Sequence, residues 1–513
     1  MKKHGRLNAK LNASRFIVVF LSIIAQVLAV IALFFILGRR FALIAYAMSA
    51  IGFLLLIFIM DRQISAVYKL PWMFLFLTFP VAGVIIYFTF GNVKVGKKQM
   101  KKYRAVFSEA KEDYKQEEVF SRLEKSGSKG VGAIKYIANA TSMPVFDNSL
   151  CEYLPSGEIY FEKMLEELKK AEEYIFIEYF VLENGYMWDE IHKIILDKMK
   201  CGVKAYVMYD DVGSMKSVRA SYYKKLKKEG IFAKKFHKFV PVVSVSHNNR
   251  DHRKICVVDG KVAFTGGINL SDEYINVTHP LGRWIDTGVI IRGQAVDSLI
   301  KMFIQNYNMA GGIELDEKDF VKTSHEEYSD GFIMPYGDAP APIMSEHVGE
   351  NVYLDIINRS DRYLYITTPY LIVDTNILTA LKTAVRRGVD VRIIIPTIPD
   401  KKLIYILTKS MSHELLLSGV KIYRYKDGFM HSKTFLSDDE VATVGSVNLD
   451  YRSFLHHFEN GVIMTGNSAI NDIYADFMRL FDNECTEATE KEIRLRWYER
   501  VIKVFLNLLA PLF

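Results

Sequence analysis

Residues 252–269 read HRKICVVDGKVAFTGGIN, and residues 431–448 read HSKTFLSDDEVATVGSVN. The fixed positions are His252, Lys254, Asp259, Gly266, Gly267 and Asn269 in the first stretch. In the second they are His431, Lys433, Asp438, Gly445, Ser446 and Asn448, at identical spacing. One His-x-Lys arises easily by chance, but two copies of the whole pattern about 180 residues apart do not. The chain therefore holds a duplicated domain rather than a solenoid of short units.

The flanking sequence repeats as well. In the first half a buried strand is predicted over Tyr174–Phe180, a helix over Trp188–Met199 and a strand over Val203–Tyr209. A lysine-rich helix over Ser221–Glu229 and a strand over Ile231–Phe236 follow. The second half predicts helix Val348–Asn358, strand Tyr363–Thr367, helix Ile377–Arg387 and strand Val389–Ile395. Helix Leu403–Leu417 and strand Val420–Tyr425 complete it. Gly202, Gly230, Gly388 and Gly419 stand where left-handed helix caps are wanted. Strands alternating with helices argue an α/β fold with largely buried sheets.

Outward from these halves the composition changes. Residues 16–37, 41–60 and 72–90 are uncharged apolar runs, the last interrupted by Pro80 and Gly83. Each is long enough to cross a hydrocarbon core of about 30 Å as a helix. The expected plan is a membrane anchor over 1–92, a linker with an amphipathic helix over 93–135, and two homologous domains over 136–320 and 321–490. A C-terminal amphipathic helix over 491–513 ends it. That last stretch, with Trp497, Val501, Val504 and Phe505 among basic residues, suits either a membrane surface or packing on the enzyme body. Basic residues flank both the first and the third apolar runs, and the positive-inside rule puts both flanks in the cytoplasm. Three crossings cannot do this, so one segment is expected to re-enter, or one basic end yields; the catalytic part is placed in the cytoplasm.

Net charge is +7, which suits an anionic partner without choosing it. Cys151, Cys201, Cys256 and Cys485 are scattered and form no metal or disulfide pattern, so free thiols are expected. No aromatic–basic pattern for stacking single strands stands out, and the apolar runs favour lipid over nucleic acid.

The chemistry follows from the motif. On an extended strand, residues i and i+2 share a face, so His-x-Lys presents an imidazole beside an ammonium. The small pairs let a ligand approach the backbone, and Asn269 and Asn448 can donate amide hydrogens to it. Two such sets converging make a phosphodiester pocket. The lysines neutralise the phosphate, one histidine attacks phosphorus, and the other moves the proton of the leaving and entering alcohols. The cations leave no need for a metal, and no cofactor is expected. Asp259 and Asp438 lie five residues past their lysines, at strand ends; they enter the candidate set as motif members with a supporting, structural role.

The paired motifs resemble those of the phospholipase D superfamily, and residues 130–513 resemble its two-domain members. Leu70-Pro71-Trp72 through Gly91, Trp284-Ile285-Asp286-Thr287 and Asn448-Leu449-Asp450-Tyr451-Arg452-Ser453 resemble bacterial cardiolipin synthases. The resemblance implies two sandwich domains around one shared active site, in a multi-pass protein of the bacterial plasma membrane. It also implies phosphatidyl transfer between two phosphatidylglycerols, giving cardiolipin and glycerol through a phosphohistidine. By the same resemblance His252 is the nucleophile and His431 the acid/base. Asp286 and Glu459 would each orient a histidine, with the pairing open, and His457 stands near a position that is often Asn in relatives. Phosphatidylglycerol and anionic membrane lipids are the expected partners, and the oligomeric state is open. Two other readings stay open: a membrane-anchored phosphodiesterase that hydrolyses, and a non-catalytic lipid-binding scaffold.

Overall fold

The structure is a computed structural model that describes residues 28, 32, 42–62, 66–88, 116–237, 249–322, 324–341 and 343–509. Its centre is two sheets with one plan. The first has seven strands in the order Ser149–Leu154, Gly288–Gly293, Val262–Gly266, Lys254–Val258, Tyr174–Tyr179, Lys204–Asp210, Phe232–Phe236. The second repeats it as Phe332–Asp338, His457–Thr465, Val441–Gly445, Thr434–Ser437, Tyr363–Thr367, Asp390–Pro396, Lys421–Tyr425, and adds Cys485–Glu487 at the edge. Five strands of each sheet are antiparallel or mixed neighbours, and the last three run parallel through helical crossovers. The α/β repeat expected from sequence is therefore present.

The central strands are buried on both faces, which is why they read as unbroken apolar runs. In the first sheet Phe176, Ile255, Val257 and Ile291 join a core shared with the second half. Ile175, Ile177, Cys256 and Phe264 face a smaller core under the helices Gly157–Lys170 and Tyr186–Lys200. The alternation is the two-residue period of a strand.

The boundary expected at 135/136 is not respected by the packing. Helix Val131–Thr141 lies against helix Val348–Arg359 of the second half. Lys129 pairs with Asp438 at 2.6 Å, and the Phe146 N–H donates to the Ile333 carbonyl at 2.9 Å. Residues 116–146, placed in a linker and the first domain, thus cover the second sheet. Their apolar positions, Ile134 and Ile137, complete its core. Lys234 and Lys235, on the strand after the lysine-rich helix, are also spent inside. Lys234 donates to the Tyr307 and Ile313 carbonyls, and Lys235 pairs with Asp211 at 2.7 Å. Cys151, Cys256 and Cys485 are buried free thiols and Cys201 is an exposed one.

Among the described residues no helix is long and apolar enough to cross a membrane. The 16–37 run lies almost wholly outside the described residues. Helix Ala42–Asp61 coincides with the second run. The third run is not one helix: it divides into Ala66–Thr78 and Pro80–Ile86 at Phe79. The two pieces fold back on each other, since Trp72 meets Tyr87 edge-on at 5.1 Å. Fifteen residues of straight helix would hold those rings about 20 Å apart. Pro80 cannot supply the N–H that would continue the helix, and Gly83 lets the second piece approach Leu75 and Phe76.

Candidate functional site

Each histidine is delivered by a strand that leaves its own half. Arg250–Asp251, just before His252, pairs in parallel with His457–Phe458 of the other sheet. Gly428–Met430, just before His431, pairs in parallel with Arg283–Ile285 of the first half. The His-x-Lys segments are therefore not on regular strands, as expected, but in the short connections between these crossing strands and the core strands that begin at Lys254 and Thr434.

The crossing settles the partners geometrically. His252 Nδ1 lies 2.9 Å from both carboxylate oxygens of Glu459. His431 Nδ1 lies 2.6 Å from Asp286 Oδ2. Each ring is held by the carboxylate of the opposite half, so Nδ1 carries the proton and Nε2 is left as the reactive atom. Both rings line one cavity of about 380 Å³, with Phe180, Asn269, Glu273, Asn448 and Arg452 also in its wall. That size falls low in the ~300–1,000 Å³ range of small-molecule sites; it suits a headgroup, with acyl chains outside.

Lys254 and Lys433 are fully buried beside their histidines, each bonded to the backbone carbonyl of its own motif's histidine. Lys433 also reaches His431 Nδ1 at 2.7 Å and Asp286 Oδ2 at 3.7 Å. Burial pushes the Lys254 ammonium down to about 7 and the Lys433 ammonium down to about 8. Burial, then the neighbouring lysines, holds both histidines well below the usual imidazole value. Burial raises Asp286 to about 6, against the pull of Lys433. The pocket thus holds neutral imidazoles beside lysines whose charge burial weakens.

The remaining candidates divide. Ser446 Oγ donates to Glu459 Oε2. At the equivalent place a Cβ on Gly267 would run into Asp286 Oδ1, so glycine there makes room for the carboxylate. Asn269 is engaged at home: its Oδ1 accepts from Val181 N at 3.1 Å, and its Nδ2 donates to Tyr274 Oη at 2.7 Å. Asn448 keeps its amide toward the cavity, with Oδ1 unpartnered among the described residues.

Asp259 and Asp438 do not enter the cavity. Asp259 takes the N–H groups of Glu172, Glu173 and Tyr174 at 2.7–2.8 Å. Asp438 takes those of Asp361, Arg362 and Tyr363 at 2.8 Å. Both sit at positive φ in the hairpin turn, where Asp is tolerated. Burial pushes the Asp438 carboxyl up, but Lys129 and these N–H groups together hold it below its usual value. Their contacts are with backbone N–H groups away from the cavity, so these two members of the candidate set are placed to hold the turn rather than to touch a substrate.

Sequence reasoning passed over the rings that pack on the histidines. Phe180 lies 4.9 Å from His252, and Tyr274 and Trp284 each lie 5.3 Å from His431. Trp284 stands in the Trp284-Ile285-Asp286-Thr287 stretch already singled out, but no local pattern says that these rings meet a histidine, because they come from separate segments. His457 lies 5.1 Å from His252 and 3.3 Å from Glu459 Oε1. His252, His457 and Glu459 are the one group among the described residues that could hold a metal ion. Glu459 is already shared by His252 and Ser446, and the Lys254 ammonium acts on the same ring. The donor set fits an anion better than a dication.

The family model described as "Cardiolipin synthase, PLD-like domain" matches residues 164–305 and 353–482, once in each half. The chain belongs to this family. A second model, "Phospholipase_D-nuclease N-terminal", matches residues 47–92. The chain is 31% identical to a cardiolipin synthase of Halalkalibacterium halodurans, over 93% of this chain and 94% of that one. It is 32% identical to cardiolipin synthase 1 of Staphylococcus aureus, over 85% and 90%. Among solved structures, the phosphatidylserine synthase of Haemophilus influenzae matches with a TM-score of 0.58 at 14% identity, covering 75% of this chain and all of that one. That likeness is one of fold. As a member of the cardiolipin synthase family the chain is a phosphatidyltransferase.

Proposed function

We propose that this cardiolipin synthase homologue joins two phosphatidylglycerols into cardiolipin and glycerol. The reading is carried by one observation: two neutral imidazoles, each held at Nδ1 by a carboxylate of the other half, turn Nε2 to one cavity with a lysine beside each. His252 Nε2 attacks the donor phosphorus. The phosphorus–glycerol oxygen bond breaks, and the glycerol oxygen takes a proton from His431 Nε2. His431 must gain that proton as the donor binds. The phosphodiester charge offsets the lysines that keep the ring neutral. The primary hydroxyl of a second phosphatidylglycerol then returns a proton to His431 Nε2 and attacks phosphorus, breaking the P–N bond. Lys254, Lys433 and the Asn448 amide stabilise charge on the non-bridging oxygens.

A membrane setting supports a lipid acceptor. Helix Ala42–Asp61 exposes Phe53, Leu54, Ile57 and Phe58. The C-terminal helix Trp497–Leu509 buries Leu506 against Ile406 and Leu407 and exposes Trp497, Val501, Val504 and Phe505. It also touches helix Ala66–Thr78. The fold-back between Trp72 and Tyr87 supports a topology in which this segment re-enters and both basic flanks lie on one side. The test is reconstitution in phosphatidylglycerol vesicles with lipid products followed by mass spectrometry. Cardiolipin with stoichiometric glycerol supports the reading; phosphatidic acid as the product would mean that water resolves the intermediate and the enzyme is a hydrolase.

A further inference from the structure

Among the described residues, Arg452 is the one cation in the cavity wall whose charge the protein leaves largely unspent. The others are engaged. Lys254 and Lys433 sit at their histidines. Arg250 donates to the His237 carbonyl at 2.9 Å and lies 3.7 Å from Asp210. Lys401, at the half-exposed mouth, stands 3.9 Å from Asp400 and over the Tyr370 ring at 4.9 Å. Arg452 donates only from Nε, to His457 Nε2 at 3.4 Å, and forms no ion pair among the described residues. Asp450 is the carboxylate that acts most strongly on it, and that group accepts from Ser453 N at 2.8 Å as a helix cap. The guanidinium edge that fits two phosphate oxygens at once is therefore open to the cavity.

We infer that Arg452 holds the intact phosphodiester of the lipid acceptor, forming with His457 a second phosphate subsite beside the phosphohistidine. The inference rests on the transfer reading above and names what that reading needs. In a bis-phosphatidyl product two phosphorus atoms flank one glycerol, about 6–7 Å apart with single bonds near 1.5 Å. His457 bridges that span: its ring lies 5.1 Å from the His252 ring on one side and within hydrogen-bond reach of Arg452 on the other. A neutral alcohol or water has no group for this subsite, so Arg452 biases the second step toward a phosphorylated acceptor. It binds the acceptor and takes no part in forming the phosphohistidine.

The experiment uses the full chain in phosphatidylglycerol vesicles containing labelled glycerol. Cardiolipin formation and glycerol incorporation into phosphatidylglycerol share one donor and differ only in acceptor. Arg452→Gln is expected to slow cardiolipin formation about ten- to a hundredfold, the loss of one charge-assisted contact pair. Glycerol incorporation should change by less than about threefold, and Arg452→Lys should recover part of the cardiolipin rate. Glycerophosphoglycerol, which has the phosphate but no acyl chains, should lose its acceptor activity alongside the lipid. An equal fall in both reactions would assign Arg452 to positioning His457 and Glu459 and overturn the subsite. Loss with the lipid but not with glycerophosphoglycerol would overturn it in favour of acyl-chain contact. If wild-type enzyme yields only phosphatidic acid, the transfer reading itself fails, a result visible before any variant is made.

Discussion

The two halves share strand order, motif spacing and a buried Asp in each hairpin turn, yet they surround their histidines differently. His252 is gripped by the longer Glu459, itself bonded by Ser446, with His457 and Arg452 beyond it. His431 is gripped by the shorter Asp286, packed under Gly267, and is boxed by Tyr274, Trp284 and Phe429. A side chain one carbon longer is matched by a serine in place of a glycine. One copy of the site is polar toward its outer neighbour and the other is aromatic. Duplication supplied two equivalent imidazoles; the surroundings of the two have diverged, and on the proposed mechanism that divergence goes with two roles.

The strongest way to break this comparison is to remove each histidine in turn. His252→Asn and His431→Asn should each cost about 10³–10⁴ in kcat. Rapid-quench labelling should still find phosphorylated enzyme in His431→Asn and none in His252→Asn; the reverse pattern would exchange the roles.

Next come the crossed carboxylates. Glu459→Gln and Asp286→Asn should each slow turnover about 10- to 100-fold, as losses of a ring-orienting partner do. Single-turnover kinetics should show Glu459→Gln slowing formation of the intermediate alone, and Asp286→Asn slowing both its formation and its resolution by the acceptor, because His431 moves a proton in both steps.

The small residues sharpen the contrast further. Gly267→Ser forces Asp286 aside and should approach the Asp286→Asn defect. Ser446→Gly removes one bond to a charged group and should cost about 1.5–3 kcal/mol of transition-state stabilisation at most. If both substitutions were silent, the matching of carboxylate length to its neighbour would have no mechanical meaning.

The pH dependence is a smaller effect with a definite sign. Lys254 near 7 and Lys433 near 8 lose charge as pH rises through these values. An anionic donor binds their protonated forms, so binding takes up protons and KM should rise above pH ~8 before kcat falls. A KM that falls with rising pH would contradict the assignment. For stability the sign is opposite: these depressed lysines favour the folded state least at low pH, where they must be charged while buried.

Asp259→Ala and Asp438→Ala should affect activity least. Each leaves three N–H groups without their acceptor, and a loss of about 2–3 kcal/mol in stability is expected. Asp438→Ala also strips Lys129 of its buried partner, so thermal melting should drop more for it. Its depressed pKa adds stability that is present above the usual carboxylate range and lost as pH falls through it.

Much of this molecule was legible locally. Strand Tyr363–Thr367 and helices Val348–Arg359 and Lys402–Leu417 fall within a residue or so of their expected bounds. A buried strand and a capped amphipathic helix carry their signals in adjacent residues. His252, Lys254, His431 and Lys433 were legible because duplication repeated their spacing. The pairing of His252 with Glu459 and His431 with Asp286 was not, because it depends on two short strands, Arg250–Asp251 and Gly428–Met430, that leave one sheet to bond the other half. The fold-back at Phe79–Pro80 was legible only in part: Pro80 and Gly83 interrupt the run and one segment was expected to re-enter, but hydropathy counts apolar residues without regard to direction and does not say which. Sequence alone determined the repeat, the paired His-x-Lys motifs and the buried strands, all written in short-range periodicity and spacing. Tertiary structure alone decided which carboxylate serves which ring and which asparagine is engaged by its neighbours, because those choices are made by contacts between segments up to about two hundred residues apart.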